Sequence, residues 1–300
     1  MSKRKLISFD WALKRLLRSK ANFEILEGFL SELLKEDVKI VEILESESNK
    51  ETEKDKQNRL DLKVKNSKNE IVIIEVQYER EFDFLQRILY GVSKSVVEHL
   101  SEGSKYSEVV KVFSVSILYF NFGQGSDYIY HGTTSFRGLY KQDELQLNKL
   151  QKKLFNKELT CQIFPEYYLL RVNSFDDIAR NTLDEWMYFL KNEEIKSDFK
   201  AKGIMKAKEV FDIMKLSDEE RRIYERYSDD LHYQASMYES NYEVPFQEGL
   251  EKGIEKGAAK EKLESALRMH ADGLDEQIIS KYSGLSVDEV KKLLITASQK

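Results

Sequence analysis

Arg59-Leu-Asp-Leu-Lys-Val-Lys65 and Ile71-Val-Ile-Ile-Glu-Val-Gln77, separated by the polar stretch from Asn66 to Glu70, decide how this chain folds. Both segments read as strands. The β-branched run Ile71, Val72, Ile73 and Ile74 belongs in a well-buried strand, so the acid and amide at its end call for an explanation. Alternation along a strand puts Glu75 and Gln77 on one face and Val72, Ile74 and Val76 on the other; in the first segment it separates Asp61 and Lys63 from Leu60, Leu62 and Val64. Paired as a hairpin, the two strands bring the carboxylates of Asp61 and Glu75 together on one face. Two acids held that close repel unless one is protonated or a cation bridges them. An oxygen-only donor set suits Mg²⁺ or Mn²⁺, which keeps several waters and is completed by substrate phosphates. The bland alternative for such a pair is a sheet-edge or salt-bridge feature.

Outward from this hairpin, the periodicity alternates between helix and strand. Leu13, Leu16, Leu17, Phe23, Leu26, Phe29, Leu30, Leu33 and Leu34 follow a period near 3.6, predicting an amphipathic helix, or two with a break near Ser19 to Asn22. Val38 to Leu44 reads as a strand, and Ser46 to Asn58, almost wholly polar, as a loop with the character of a lid. Phe82 to Leu100 is predicted helical with Phe84, Ile88, Val92, Ser95 and Val96 inward; Val109 to Phe120, Tyr128 to Thr134 and Thr160 to Val172 read as strands. This order predicts an α/β protein, an α/β/α sandwich around a mixed sheet, followed by a helical C-terminal region. Ser174-Phe-Asp-Asp177 reads as the cap of a helix running through Trp186 and Leu190, with further helices at Ile204 to Met214 and Ser217 to Tyr227. Gly249, Gly253 and Gly257 recur at every fourth position of Glu248-Gly-Leu-Glu-Lys-Gly-Ile-Glu-Lys-Gly257. Glycine there weakens a helix but lets another backbone approach. A turn at Gly284 and a helix opened by Ser286 with Glu289 at its third position complete a helix-turn-helix-like tail. The expected division is a core over 1–173, a helical extension over 174–247 and a tail over 248–300.

Hydrophobic residues make up 41% of the 300, enough for a substantial core, while the 34% charged fraction points to long solvated helices in part of the chain. A net charge of −5 argues against a protein that coats nucleic acid indiscriminately, although it leaves room for a local basic groove. The single cysteine, Cys161, has no internal partner and lies in an apolar run, which predicts a buried thiol in a reducing compartment. Ser2-Lys-Arg-Lys5 is followed by only a short apolar patch before Asp10, so neither a signal peptide nor a membrane span is read there, and the expected location is cytoplasmic.

Around the hairpin, Gln86 and Tyr90 share one helical face, and Arg87 and Lys94 add cations of the kind needed to orient a scissile phosphate. Tyr90 reads equally well as a core aromatic. Asp10, ahead of Trp11, is read from the residues alone as a helix N-cap. His99, His131, His232 and His270 show no metal-ligand spacing, which argues against zinc. No phosphate-cradling glycine loop and no Gly-x-Ser-x-Gly elbow is present; Gly123-Gln-Gly125 reads as a loop.

Taken together, Asp61, Glu75-Val-Gln77 and Gln86-Arg87-Ile-Leu-Tyr90 resemble the PD-(D/E)XK nuclease superfamily, specifically its recombination-promoting nuclease and transposase-like (Rpn-type) branch. Phe9-Asp-Trp-Ala-Leu-Lys14, Gly103-Ser-Lys-Tyr106, the strand Val112 to Tyr119 and the Glu-Lys-Gly repeat are similar to it as well. The resemblance implies a divalent metal held by Asp61, Glu75 and the backbone carbonyl of Val76, water activated for attack on a DNA phosphodiester, and catalysis by Asp61, Glu75 and Gln77. It also implies a metal role for Asp10 as the first-helix acid, and substrate contacts from Gln86, Arg87, Tyr90 and Lys94. Leu60 replaces the usual proline and Gln77 the usual lysine. A glutamine cannot take a proton from water at neutral pH. The expectation is a bacterial Mg²⁺-dependent DNA endonuclease of recombination or genome defence. Its rivals are a non-catalytic DNA-binding or regulatory protein on a degraded nuclease fold and a homodimer assembled through the tail.

Overall fold

The computed structural model describes residues 6–44, 62–78, 80–100, 103, 105–238, 240–241 and 244–297. The β-branched run lies at the centre of a six-stranded sheet in the order β1-β2-β3-β4-β6-β5, formed by β1 (Ile40–Leu44), β2 (Leu62–Asn66), β3 (Ile71–Gln77), β4 (Val112–Leu118), β5 (Ile129–Gly132) and β6 (Glu166–Arg171). β1, β2 and β3 form an antiparallel meander, β3, β4 and β6 run parallel, and β5 closes the far edge antiparallel to β6. The expected hairpin forms with Leu62 opposite Ile74 and Val64 opposite Val72. Its turn holds because the Asn66 side-chain oxygen accepts from the backbone N–H of Lys68 and Glu70, while Asn69 takes a positive φ of 63°.

Helices cover both faces of the sheet, as the pattern of apolar residues requires. α1 (Phe9–Arg15) and α2 (Phe23–Leu34) are separated by a 3₁₀ turn at Lys20–Asn22, where the break was expected. α3 (Phe84–Glu98) is the crossover between β3 and β4; its Val92 packs on Ile71, Ile73 and Val112, and its Phe84 and Ile88 pack on Leu118 and Phe120. α4 (Lys149–Phe155) forms in the Lys- and Gln-rich segment ahead of β6, and α5 (Thr182–Asn192) and α6 (Ile204–Val210) follow β6. An aromatic cluster ties α1, α2 and α5 together: Phe9 lies 5.3 Å from Phe29, Phe29 lies 5.5 Å from Trp186, and Phe189 lies 5.6 Å from Phe211 just after α6. α2 meets the start of α6 at Gly28, where an added Cβ would stand 2.2 Å from the Lys202 carbonyl oxygen.

The chain divides into two compact units, residues 1–221 and 222–300. The segment 174–221 thus belongs to the first unit, through Trp186, Phe189 and Phe211. α7 (Asp218–Tyr238) crosses the division and is followed by α8 (Val244–Ala271), α9 (Glu276–Ser283) and α10 (Val287–Ala297). In the second unit Ala266, Ile279 and Val290 form a small core, Gly284 ends α9 with a φ of 70°, and the expected capping box opens α10: Glu289 accepts from the Ser286 N–H at 2.7 Å. Among the described residues no helix is long and apolar enough to cross a membrane.

Four readings need correction. Ser8, not Asp10, caps α1, accepting from the Trp11 N–H; Asp10 sits in the first turn and is buried. Asn181, not Ser174, caps α5, because its side chain accepts from the Asp184 N–H, while Asp177 takes a positive φ that no helix start would use. The strand expected over Thr160 to Val172 begins only at Glu166, since Thr160–Gln162 form a 3₁₀ turn and Pro165 intervenes. Cys161, in that turn, is half-buried rather than buried. The lid loop from Ser46 to Asn58 lies outside the described residues.

Candidate active site

β3 delivers Glu75 and Gln77 to the sheet face covered by α3, as strand alternation requires. Glu75 is only 5% exposed. A carboxylate at that depth needs a cation or strong donors, and Arg87, on the first turn of α3, forms an ion pair with it through Nη2. The same guanidinium donates to the Gln77 side-chain oxygen at 3.2 Å and, through Nη1, to Glu81 at 2.7 Å; Gln77 in turn donates to Glu81 at 3.0 Å. Arg87 therefore bridges three acceptors from the strand end and the loop that follows it. In effect, α3 returns to this face the positive charge that Gln77 does not carry.

Ser116 adds a feature the sequence reading missed. It lies on β4 in register with Glu75, so both side chains share a face. It is 1% exposed, and its hydroxyl makes no hydrogen bond among the described residues. A buried hydroxyl without a partner is costly. Beside an acid, it is suited to a water or an ion's hydration shell. The signal was present in Val112-Phe-Ser-Val-Ser-Ile-Leu118, where two serines alternate with large apolar residues. For Glu81, no pattern in the sequence distinguished it from an ordinary loop acid.

The other expected residues are placed differently. Gln86 and Tyr90 are exposed on α3, Tyr90 by 47%. Lys94 approaches Glu98 at 3.8 Å, and Glu98 also pairs with the buried Lys63 at 2.8 Å, so that part of α3 is tied to β2. Asp10 is buried in the first turn of α1, and Val76 follows Glu75 in the register of β3 and β4. Asp61 lies outside the described residues.

Among the described residues no group of three or more His, Cys, Asp or Glu side chains forms a metal cluster. A hard divalent ion does not require one, because one or two carboxylates, a carbonyl and several waters suffice for it. A buried acid with an unpartnered hydroxyl beside it fits that donor chemistry. The family described as PD-(D/E)XK nuclease family transposase matches this chain over residues 7–241, which include the whole sheet, α3 and the Glu75 cluster. No curated protein and no solved structure matches it. Nucleases of this type generally use divalent metals and act on DNA. With the family pattern spanning most of its length and the expected mixed sheet beneath it, the chain belongs to the PD-(D/E)XK nuclease family transposases.

Proposed function

We propose that this protein is a metal-dependent DNA endonuclease, of a bacterial recombination or genome-defence system, whose site is built on Glu75. The observation that carries the reading is the buried Glu75 carboxylate, set on one sheet face with Gln77, the Arg87 guanidinium and the Ser116 hydroxyl. Asp61, Glu75 and the carbonyl of Val76 would hold Mg²⁺ or Mn²⁺, with Asp10 as a further acid. Bound there, the ion would lower the pKa of a water and offset charge on the phosphate.

The chain's own residues do the rest. Gln77 is neutral and orients the water or a phosphate oxygen without taking its proton. Arg87, whose planar fork holds Glu75, Gln77 and Glu81, would offer its guanidinium to a phosphate oxygen if Glu75 held the ion. Ser116 fixes the water nearest Glu75. Gln86, Tyr90 and Lys94, outward on α3, contact the DNA backbone beyond the scissile phosphate. Residues 1–173 form the catalytic core in this reading, 174–221 complete its compact unit, and 248–300 provide contacts to DNA or to a second copy. Nicking of supercoiled plasmid in Mg²⁺ tests the assignment: Asp61→Ala and Glu75→Ala should each abolish it, and nicking retained by either variant removes that residue from the site.

The ion pair between Arg87 and Glu75 also favours a second reading, in which the acid is permanently neutralised and the chain binds DNA without cutting it. Titration with Mn²⁺ separates the two. Paramagnetic broadening of resonances near Glu75 supports the nuclease, whereas salt-sensitive DNA binding with no metal uptake supports the binding protein.

A further inference from the structure

The loop joining β3 to α3 has two sides with different chemistry. Glu81 points inward and is held by the Gln77 amide and the Arg87 guanidinium. Its neighbours point outward: Arg80 is exposed, and Phe82 is 89% exposed, with the Arg80 guanidinium over its ring at 5.0 Å from the centroid. Leu85, the second residue of α3, is 53% exposed nearby in sequence. Single exposed apolar residues are ordinary. Here, however, an aromatic ring and a guanidinium stand together on a loop tied directly to the site residues. The cation covers one face of the ring, and the opposite face is left to solvent.

On the basis of the nuclease reading above, we propose that Arg80 and Phe82 form a stacking platform for a nucleobase beside the scissile phosphate, and that the preferred substrate is DNA with an unpaired or unstacked nucleotide at the cleavage point. A phosphate engaged at Glu75 sets its flanking nucleotides next to the loop that Glu81 holds there. Within an intact duplex both faces of each base are already stacked, so Phe82 can engage only a base that has been opened, flipped or left single-stranded. Aromatic stacking tolerates any base, and a guanidinium beside it engages the adjoining phosphate, so the element selects a DNA structure rather than a sequence.

Binding of the full-length protein to a fluorescein-labelled blunt duplex, and to the same duplex carrying a central unpaired thymine bubble, tests this without catalysis, in EDTA and again with Ca²⁺ in place of Mg²⁺. The wild type should bind the bubble more tightly. Phe82→Ala should weaken bubble binding about tenfold, within the range that stacked bases show, and blunt-duplex binding by less than about twofold; Phe82→Trp should restore the preference. Equal wild-type affinity for the two DNAs, an unchanged preference in Phe82→Ala, or equal losses on both DNAs each overturn the platform. In those cases Mg²⁺-dependent nicking that is lost in Glu75→Ala would leave the nuclease reading standing. Failure to bind either DNA in both conditions overturns the platform together with the DNA reading.

Discussion

Two carboxylates on the sheet, the buried Glu75 on β3 and the half-buried Glu166 on β6, are both held by basic side chains, yet they are built for different ends. Glu166 is met by Lys111 at 2.7 Å and His131 at 2.8 Å, with the Tyr168 hydroxyl at 3.4 Å. Lys111 is 6% exposed and is also bound by the carbonyl oxygens of Cys161 and Phe164, so its ammonium has nowhere else to go. Glu75 is instead met by an arginine, 24% exposed along its side chain, that it shares with Gln77 and Glu81 at the end of a helix. The first arrangement is a closed knot between strands. The second is an acid whose counter-charge is on a long, partly solvated arm with other acceptors within reach, beside a buried hydroxyl with no partner. Burial and an ion pair alone do not separate structure from chemistry; what separates them is whether the cation can leave.

The sharpest way to break this contrast is to neutralise each acid. Glu75→Gln should reduce Mg²⁺-dependent nicking at least about a thousandfold, a loss of several kcal/mol of transition-state stabilisation, while thermal unfolding shifts little, because Arg87 keeps Gln77 and Glu81 as acceptors. A retained rate would place Glu75 with Glu166 as a structural acid. Lys111→Ala should do the opposite, lowering stability by about 3 kcal/mol by leaving Glu166 and two carbonyls without their buried donor. Calorimetry would show it, and the nicking rate per folded molecule should be unchanged.

Much of this contrast could be read from the sequence, and the unread part has physical reasons. The run Ile71 to Ile74 placed β3 at the sheet centre, the period of Phe84, Ile88 and Val92 gave α3 its inner face, and alternation put Glu75 and Gln77 together. Caps were read less well, since Ser8 and Asp10, or Ser174 and Asn181, are equivalent as residue types and only the backbone path chooses between them. Arg87 was named for a substrate; that it reaches Glu75 depends on how α3 sits over β3, which no local pattern encodes. Ser116 was missed because its meaning comes from its neighbour across the ladder, forty-one positions away in sequence. The knot at Glu166 was missed for the same reason, as it joins three strands.

Ser116→Ala sharpens the contrast from the other side. No hydrogen bond is lost, so stability should stay level or rise slightly, whereas a hydroxyl that fixes water beside Glu75 should cost about tenfold in nicking when removed. A stability loss without a rate effect would mean that the hydroxyl has a structural partner.

The smallest effect expected is on the pH dependence of stability, and it is read at Glu166. Burial raises the Glu166 pKa, but hydrogen bonds and charge from Lys111 and His131 outweigh it and leave the group below its ordinary 4.5. A carboxylate whose folded pKa is depressed binds fewer protons folded than unfolded, so its contribution is fully present above the unfolded pKa and is lost as pH falls through the folded one. The difference in melting temperature between the wild type and Glu166→Gln should therefore be constant from neutral pH to about pH 5 and shrink steadily below it. A gap that stays constant into strong acid would mean that Glu166 gains nothing from Lys111 and His131. The closed knot would then be no more than a packing arrangement, and the distinction from Glu75 would have to rest on Arg87 alone.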